Sequence, residues 1–187
     1  RLVGSEMCIR DRGNAVPGRD SQGRGFTRMT KRYSFVRPLG GTDYEWSADH
    51  TYVKVSAHDT DSHFTLMEDN LKSTFALGLH RHDHHAETYY ILEGDLDFHV
   101  DGDWITAPPG SCLHIPPGIP HACVMSEANA SARMLMFQPA GFDLYLAELG
   151  KMSDQQLNDP LKMEELARKY DIINLGEVPG RAETDIK

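Results

Sequence analysis

Between Tyr33 and Gln138 the chain is a succession of short strand-like runs separated by turn signals, and this segmentation restricts its fold more than any other feature. "TYVKVSA", "SHFTLMED", "STFALGL", "ETYYILEG", "LDFHVDGDWITA", "SCLHIPP" and "ARMLMFQ" are rich in β-branched and aromatic residues. Clusters of Gly, Pro, Asp or Asn separate most of them, a spacing that indicates an all-β sandwich or barrel. Asp101-Gly102 is a strong hairpin signal, because both residues tolerate positive φ. No internal repeat is found.

After Gln138 the apolar period changes from two to about three and a half. Phe142, Leu146 and Leu149 share one face, and Gly150 is expected to stop that helix in a left-handed cap. Asp159-Pro160 supplies an N-cap and a first-turn proline for a second helix. Its stripe of Met163, Leu166, Ala167 and Tyr170 reads as packing, with Glu164/Arg168 and Glu165/Lys169 spaced for exposed ion pairs. The expected organisation is therefore an extension over 1–28, a β-barrel over 29–140, and C-terminal helices and tail over 141–187.

The first segment looks foreign to the fold. "RLVGSEMCIRDRG" has no periodic apolar face and resembles the translated adaptor tails of assembled sequencing reads, and "NAVPGRDSQGRGFTR" is too polar to offset the entropy of ordering. Residues 1–28 are expected to be disordered and to carry no chemistry, with Met29 as the native start. They hold six Arg against three acids, whereas residues 29–187 hold 13 Lys plus Arg against 25 Asp plus Glu. A body of that sign repels phosphate backbones, which argues against a nucleic-acid partner. No run approaches the roughly 18 apolar residues of a membrane helix. Cys8, Cys112 and Cys123 lack CxxC spacing, so neither a disulfide framework nor a thiolate zinc site is expected, and a soluble, cytoplasmic protein fits.

Two segments carry chemistry. "LGLHRHDHHAETYYILEGD" places His80, His82, His84 and His85 within six residues. On a strand, positions i and i+2 lie on one face about 6.6 Å apart, so His80 and His82 can converge on one ion, and the short segment Asp83 to Ala86 leaves room for Glu87 to return toward the same cavity. Gly94 allows a sharp turn after "TYYILE". In "PPGSCLHIPPGIPHACVM", Pro116, Pro117, Gly118 and Pro120 make a stiff turn that aims His121 into the next strand. A His-rich tract alone binds metal weakly from a loose loop; the linked Glu87 and His121 argue for a built site.

These two segments resemble the paired motifs of the cupin superfamily. The first motif appears as His80, His82, Glu87 and Gly94, the second as Gly110, Pro116, Gly118 and His121, with 15 residues between Gly94 and Gly110. Both motifs in order and in strand context are far more specific than either alone. One departure is Met125, at a position where the second motif often has Asn. "VRPLGGTDYEW", "ETYYILEG" and "FQPAGFDLYLAELG" look like the single-domain quercetin 2,3-dioxygenase-like branch, a more diffuse likeness. The resemblance implies a jelly-roll β-barrel with a short C-terminal helical extension. It also implies a metal ion held by His80, His82, Glu87 and His121, and a homodimer.

Imidazole and carboxylate donors suit one divalent ion of iron, manganese, nickel, cobalt, copper or zinc, and the sequence does not choose among them. Four protein ligands leave two octahedral positions for a substrate oxygen and O₂ or water. Within the quercetin-dioxygenase-like reading, Glu87 is both ligand and catalytic base. His84 and His85 fall in the loop between ligands and are read as exposed or as neighbours of the ligands; His50, His58, His63, His99 and His114 are read as ordinary. Tyr89, Ile91, Cys123, Met125, Met134 and Met136 are the pocket candidates, although close packing is the more ordinary role for Cys123. They form a mainly apolar wall suited to a flat aromatic or enolisable small molecule, with no Arg or Lys cluster for a sugar phosphate. An O₂-independent metal lyase or isomerase, a small-molecule-binding protein without chemistry and, last, a metal store are the competing classes, since fold does not fix function.

Overall fold

A computed structural model describes residues 33–180; the expectations for 1–28 and for the last seven residues lie outside the described residues. Eleven strands and three α-helices are found among the described residues. The strands are β1 (Thr42–Glu45), β2 (Asp49–Val55), β3 (Phe64–Lys72), β4 (Ala76–Arg81), β5 (Glu87–Glu93), β6 (Leu96–Val100), β7 (Asp103–Ala107), β8 (Cys112–Ile115), β9 (His121–Met125), β10 (Ser131–Pro139) and β11 (Ile173–Gly176). They form two antiparallel sheets, β1-β2-β3-β10-β5-β8 and β11-β4-β9-β6-β7, in a jelly-roll arrangement with a short helical part at the C-terminal end. No helix among the described residues is long and apolar enough to cross a membrane.

Period-two alternation orients the larger sheet. Thr65, Met67, Asp69 and Leu71 of β3, Ala132, Met134, Met136 and Gln138 of β10, and Glu87, Tyr89 and Ile91 of β5 are all buried, as expected of one inner face. Tyr89, Leu96, Phe98 and Cys123 close the core where β5 faces β6 and β9; the Tyr89 and Phe98 rings lie 5.1 Å apart. Asp101 and Gly102 take φ of 52° and 98° between the paired Val100 and Asp103, so the expected two-residue hairpin is present. At Gly94 a Cβ would lie 2.5 Å from the Ser131 carbonyl oxygen, which, with its φ of 68°, excludes larger residues from this turn.

The C-terminal part departs from expectation in several places. Helix α1 (Phe142–Leu149) ends at Gly150, whose φ is −66°, right-handed rather than left-handed. Glycine serves there for close approach: a Cβ would lie 3.1 Å from the Tyr44 ring. A one-turn helix, α2 (Asp154–Leu157), follows, opened by a reciprocal Ser153/Gln156 capping box. Helix α3 (Pro160–Lys169) starts as expected, with the Asp159 carboxylate accepting from the Leu161 and Lys162 amides. Glu164 pairs with Arg168, but Lys169 reaches Glu148 of α1 at 2.6 Å instead of pairing with Glu165, which takes Lys162. Strand β11 then returns along β4, with Asn174 opposite His80.

Candidate metal centre and its cavity

His80 and His121 are cross-strand partners on β4 and β9 of the smaller sheet, while Glu87 opens β5 of the larger one. His82 follows β4 directly, and its carbonyl accepts the Gly118 amide at 2.6 Å, which ties the first histidine loop to the proline turn before His121. Gly118 has φ of 83°, so this close backbone contact uses a conformation that glycine adopts without strain. One ligand atom from each of His80, His82, Glu87 and His121 lies within 4.8 Å of the others, and all four residues are buried.

Hydrogen bonding fixes how the rings face. His80 Nδ1 donates to the Gly78 carbonyl, His82 Nδ1 to the Asp171 carbonyl and His121 Nδ1 to the Ile119 carbonyl, each at 2.9 Å. A neutral imidazole with a proton on Nδ1 presents a bare lone pair at Nε2. Nevertheless His82 Nε2 and His121 Nε2 lie 3.1 and 3.0 Å from Glu87 Oε2. Lone pairs at that distance repel unless a proton or a cation lies among them.

The protein's own charges show the proton-bound alternative. Burial would raise the Glu87 carboxyl, but hydrogen bonds from His121 and His82 outweigh it and hold the group well below the usual carboxylate range. Burial would lower His82, yet its contact with Glu87 pushes it up. His80 is pulled down to about 4, first by burial and then by the His121 charge. The cluster thus resists becoming fully protonated, and a divalent cation satisfies the same lone pairs without that conflict. The donor set fits such an ion.

Two neighbours of this cluster were not legible as site residues. The Gln138 amide donates Nε2 to Glu87 Oε1, leaving Oε2 toward the imidazoles. Its phase with Met134 and Met136 was the available signal, one step beyond the residues singled out. Asp171, at φ of 59°, is the other. Its carbonyl orients His82, and its carboxylate accepts from the Asp83 and His84 amides at 3.1 and 2.8 Å. His84 is exposed; His85 is largely buried, stacks on His82 with ring centroids 4.1 Å apart, and places Nδ1 2.9 Å from the Asp171 carboxylate. His85 is therefore a direct neighbour of the cluster, unlike His84.

His80, His82 and Glu87 line a cavity of about 450 Å³. Of the six pocket candidates, Met134 and Met136 stand on its wall, whereas Tyr89, Ile91, Cys123 and Met125 belong to the closed core between the sheets. Burial, followed by the Glu87 charge, holds the Tyr89 phenol and the Cys123 thiol well above their ordinary ranges. The C-terminal part supplies much of the remaining wall, including Phe142, Tyr145, Met163 and Ala167. Met163 and Ala167 thus face the cavity, where the α3 stripe had read as packing alone. Asp49, Thr51, Asp69 and Asn174 add polar groups that the expected apolar lining did not include.

Three imidazoles and a carboxylate gathered between the sheets of a jelly roll form a candidate metal site of cupin type. Residues 71–137 match the family described as the cupin domain. Together with the fold, this match supports membership of the cupin superfamily. The chain is 26% identical over 117 residues to a quercetin 2,3-dioxygenase of Bacillus subtilis (strain 168), an alignment covering 62% of this chain and 34% of that protein, so the chain spans about a third of the length of this curated relative. Among solved structures, KdgF from Halomonas sp. superposes with a TM-score of 0.51 at 16% identity, covering 59% of this chain and 99% of that one. A predicted oxalate decarboxylase from Thermotoga maritima gives 0.52 at 21% identity, covering 57% and 98%. These two likenesses establish the fold.

Proposed function

We propose that His80, His82, Glu87 and His121 hold one divalent transition-metal ion, and that the protein is a dioxygenase acting on a flavonol-like or other enolisable hydroxy-carbonyl compound. The observation that carries this reading is the convergence of imidazole Nε2 atoms and a buried carboxylate oxygen at a mainly apolar cavity. Its volume is in the range of small-molecule sites. When bound, the ion would act as a Lewis acid and lower the pKa of a substrate hydroxyl.

The chain's own residues divide the remaining work. Glu87 Oε2, facing the imidazoles, accepts the substrate's hydroxyl proton, and Gln138 holds Oε1 so that the carboxylate does not rotate away. Phe75, Leu77, Met134 and Met136 exclude water and favour a flat, neutral ligand. The activity in the Bacillus relative's name supports an oxygenase over the other classes, across the third of that protein that is matched.

The test is a product screen with protein loaded in turn with iron, manganese, nickel, cobalt, copper and zinc, run with and without O₂ on hydroxy-carbonyl aromatics. O₂ uptake matched to product is the expected result. Product formed equally without O₂ reassigns the protein as a lyase or isomerase, and binding without conversion reassigns it as a binding protein.

A further inference from the structure

The cavity has a second polar end. Thr51 and Asp69 face each other across β2 and β3, are 2% and 3% exposed, and line the cavity beside Asp49. The Thr51 hydroxyl donates to Asp69 Oδ1 at 3.0 Å. Among the described residues that is the one hydrogen bond of the Asp69 carboxyl, and no ion pair accompanies it. Burial, and then the Asp49 charge, push this carboxyl up to about 7, against the lowering effect of Thr51.

A separate observation comes from the metal-site end. Gln138 is 3% exposed, lines the same cavity and donates Nε2 to Glu87, yet its Oε1 is buried with no hydrogen-bond partner. Buried acceptors left unsatisfied are costly, and ligand donors are one way to satisfy them. In the β3–β10 ladder Gln138 is opposite Thr65, Met136 opposite Met67, and Met134 opposite Asp69. The two acceptors are therefore on one inner face, about 13 Å apart along the strands, with a methionine floor between them.

We propose that Asp69, seated by Thr51, is a specificity-determining residue: it accepts a hydrogen bond from a hydroxyl at the far end of a flat ligand whose near end carries the hydroxy-carbonyl group beside Glu87 and Gln138. This rests on the reading of the cavity as a site for such compounds. An anionic far end would meet the Asp49 and Asp69 carboxyls. A cationic one would bring a further charge into a buried space, at a desolvation cost that a neutral donor avoids. A neutral donor fits both carboxyls.

The test uses nickel-loaded protein without O₂ and three probes: 3-hydroxyflavone, its 4′-hydroxyl derivative and its 4′-methoxy derivative, which fills similar space without a donor. Equilibrium titration should give about tenfold tighter binding of the 4′-hydroxyl than of the 4′-methoxy compound. Asp69→Leu should abolish that preference, and Thr51→Val should reduce it, with circular dichroism and metal content reporting whether each variant folds. If Asp69→Leu does not fold, the wild-type probe series and Thr51→Val still decide. Equal wild-type affinities for the three probes, or a preference that survives in folded Asp69→Leu, overturn the role of Asp69 alone. Failure of all three probes to bind overturns the substrate reading and this proposal with it.

Discussion

The carbonyl of Asp171 accepts the Nδ1 proton of His82 at 2.9 Å, across 89 positions of sequence. With the Asp171 carboxylate on the Asp83 and His84 amides, this contact makes the C-terminal segment part of the metal-site scaffold. Partners that orient a ligating imidazole typically change metal affinity about 10- to 100-fold when lost. Asp171→Ala removes the side-chain contacts and introduces a residue that tolerates positive φ less readily than Asp. It should weaken metal binding by that order, with Asp171→Asn closer to wild type, as measured by competition with a chromophoric chelator. Equal, undiminished affinity in both variants would refute this role.

Replacing His82 or His121 by Ala should abolish most metal occupancy. His84→Ala should leave it unchanged and His85→Ala should reduce it modestly, because His85 alone of that pair stacks on His82. Elemental analysis of the four purified variants checks this order. Equal losses in all four would indicate a loose histidine tract.

Metal binding should release protons and strengthen with pH. Glu87 raises the His82 imidazole above its ordinary value, so protons compete with the ion as pH falls through that range. Calorimetric titrations in two buffers of different ionisation enthalpy measure the release. An observed enthalpy independent of buffer at pH 6.5 would contradict it.

Asp69→Asn should stabilise the protein at high pH. The folded-state value of about 7 lies above the ordinary 3.8, so the native state binds this proton more tightly. That advantage is complete below about pH 4 and is lost as pH rises through 7. Above 7 the charged, buried group disfavours folding by on the order of 4 kcal/mol relative to a neutral one. The amide cannot ionise, so its melting-temperature gain over wild type should be larger at pH 8 than at pH 4.5. A gain that does not vary with pH would show that Asp69 is not perturbed.

Truncation after Ala140 should produce an aggregation-prone protein with reduced metal affinity, because it removes cavity-wall residues Phe142, Tyr145, Met163 and Ala167 together with Asp171. Light scattering and metal content of the truncated protein test this. A soluble, fully metal-binding product would show that the extension is dispensable.

The strands and the four proposed ligands were legible locally. Alternation sets which face a side chain takes, Asp101-Gly102 sets a hairpin, and the proline turn aims His121, all through contacts within a few residues. Even the Asp159 cap of α3 depends on amides two and three residues away. The cavity was not legible, because alternation places Tyr89 and Met136 on one inner face without saying where the opposite sheet closes on it. The structure decides this: Phe98 packs on Tyr89, while Met136 is left facing the space walled by α1 and α3. Gly150, Asp69 and Asp171 belong to the same class. The ring that approaches Gly150, the cavity beside Asp69 and the imidazole on Asp171 come from distant parts of the chain, and no local periodicity encodes which distant surfaces meet. Sequence by itself determined the strand pattern and the donor set; tertiary packing alone decided the cavity and the residues that hold those donors in place, because both depend on contacts between segments far apart in the chain.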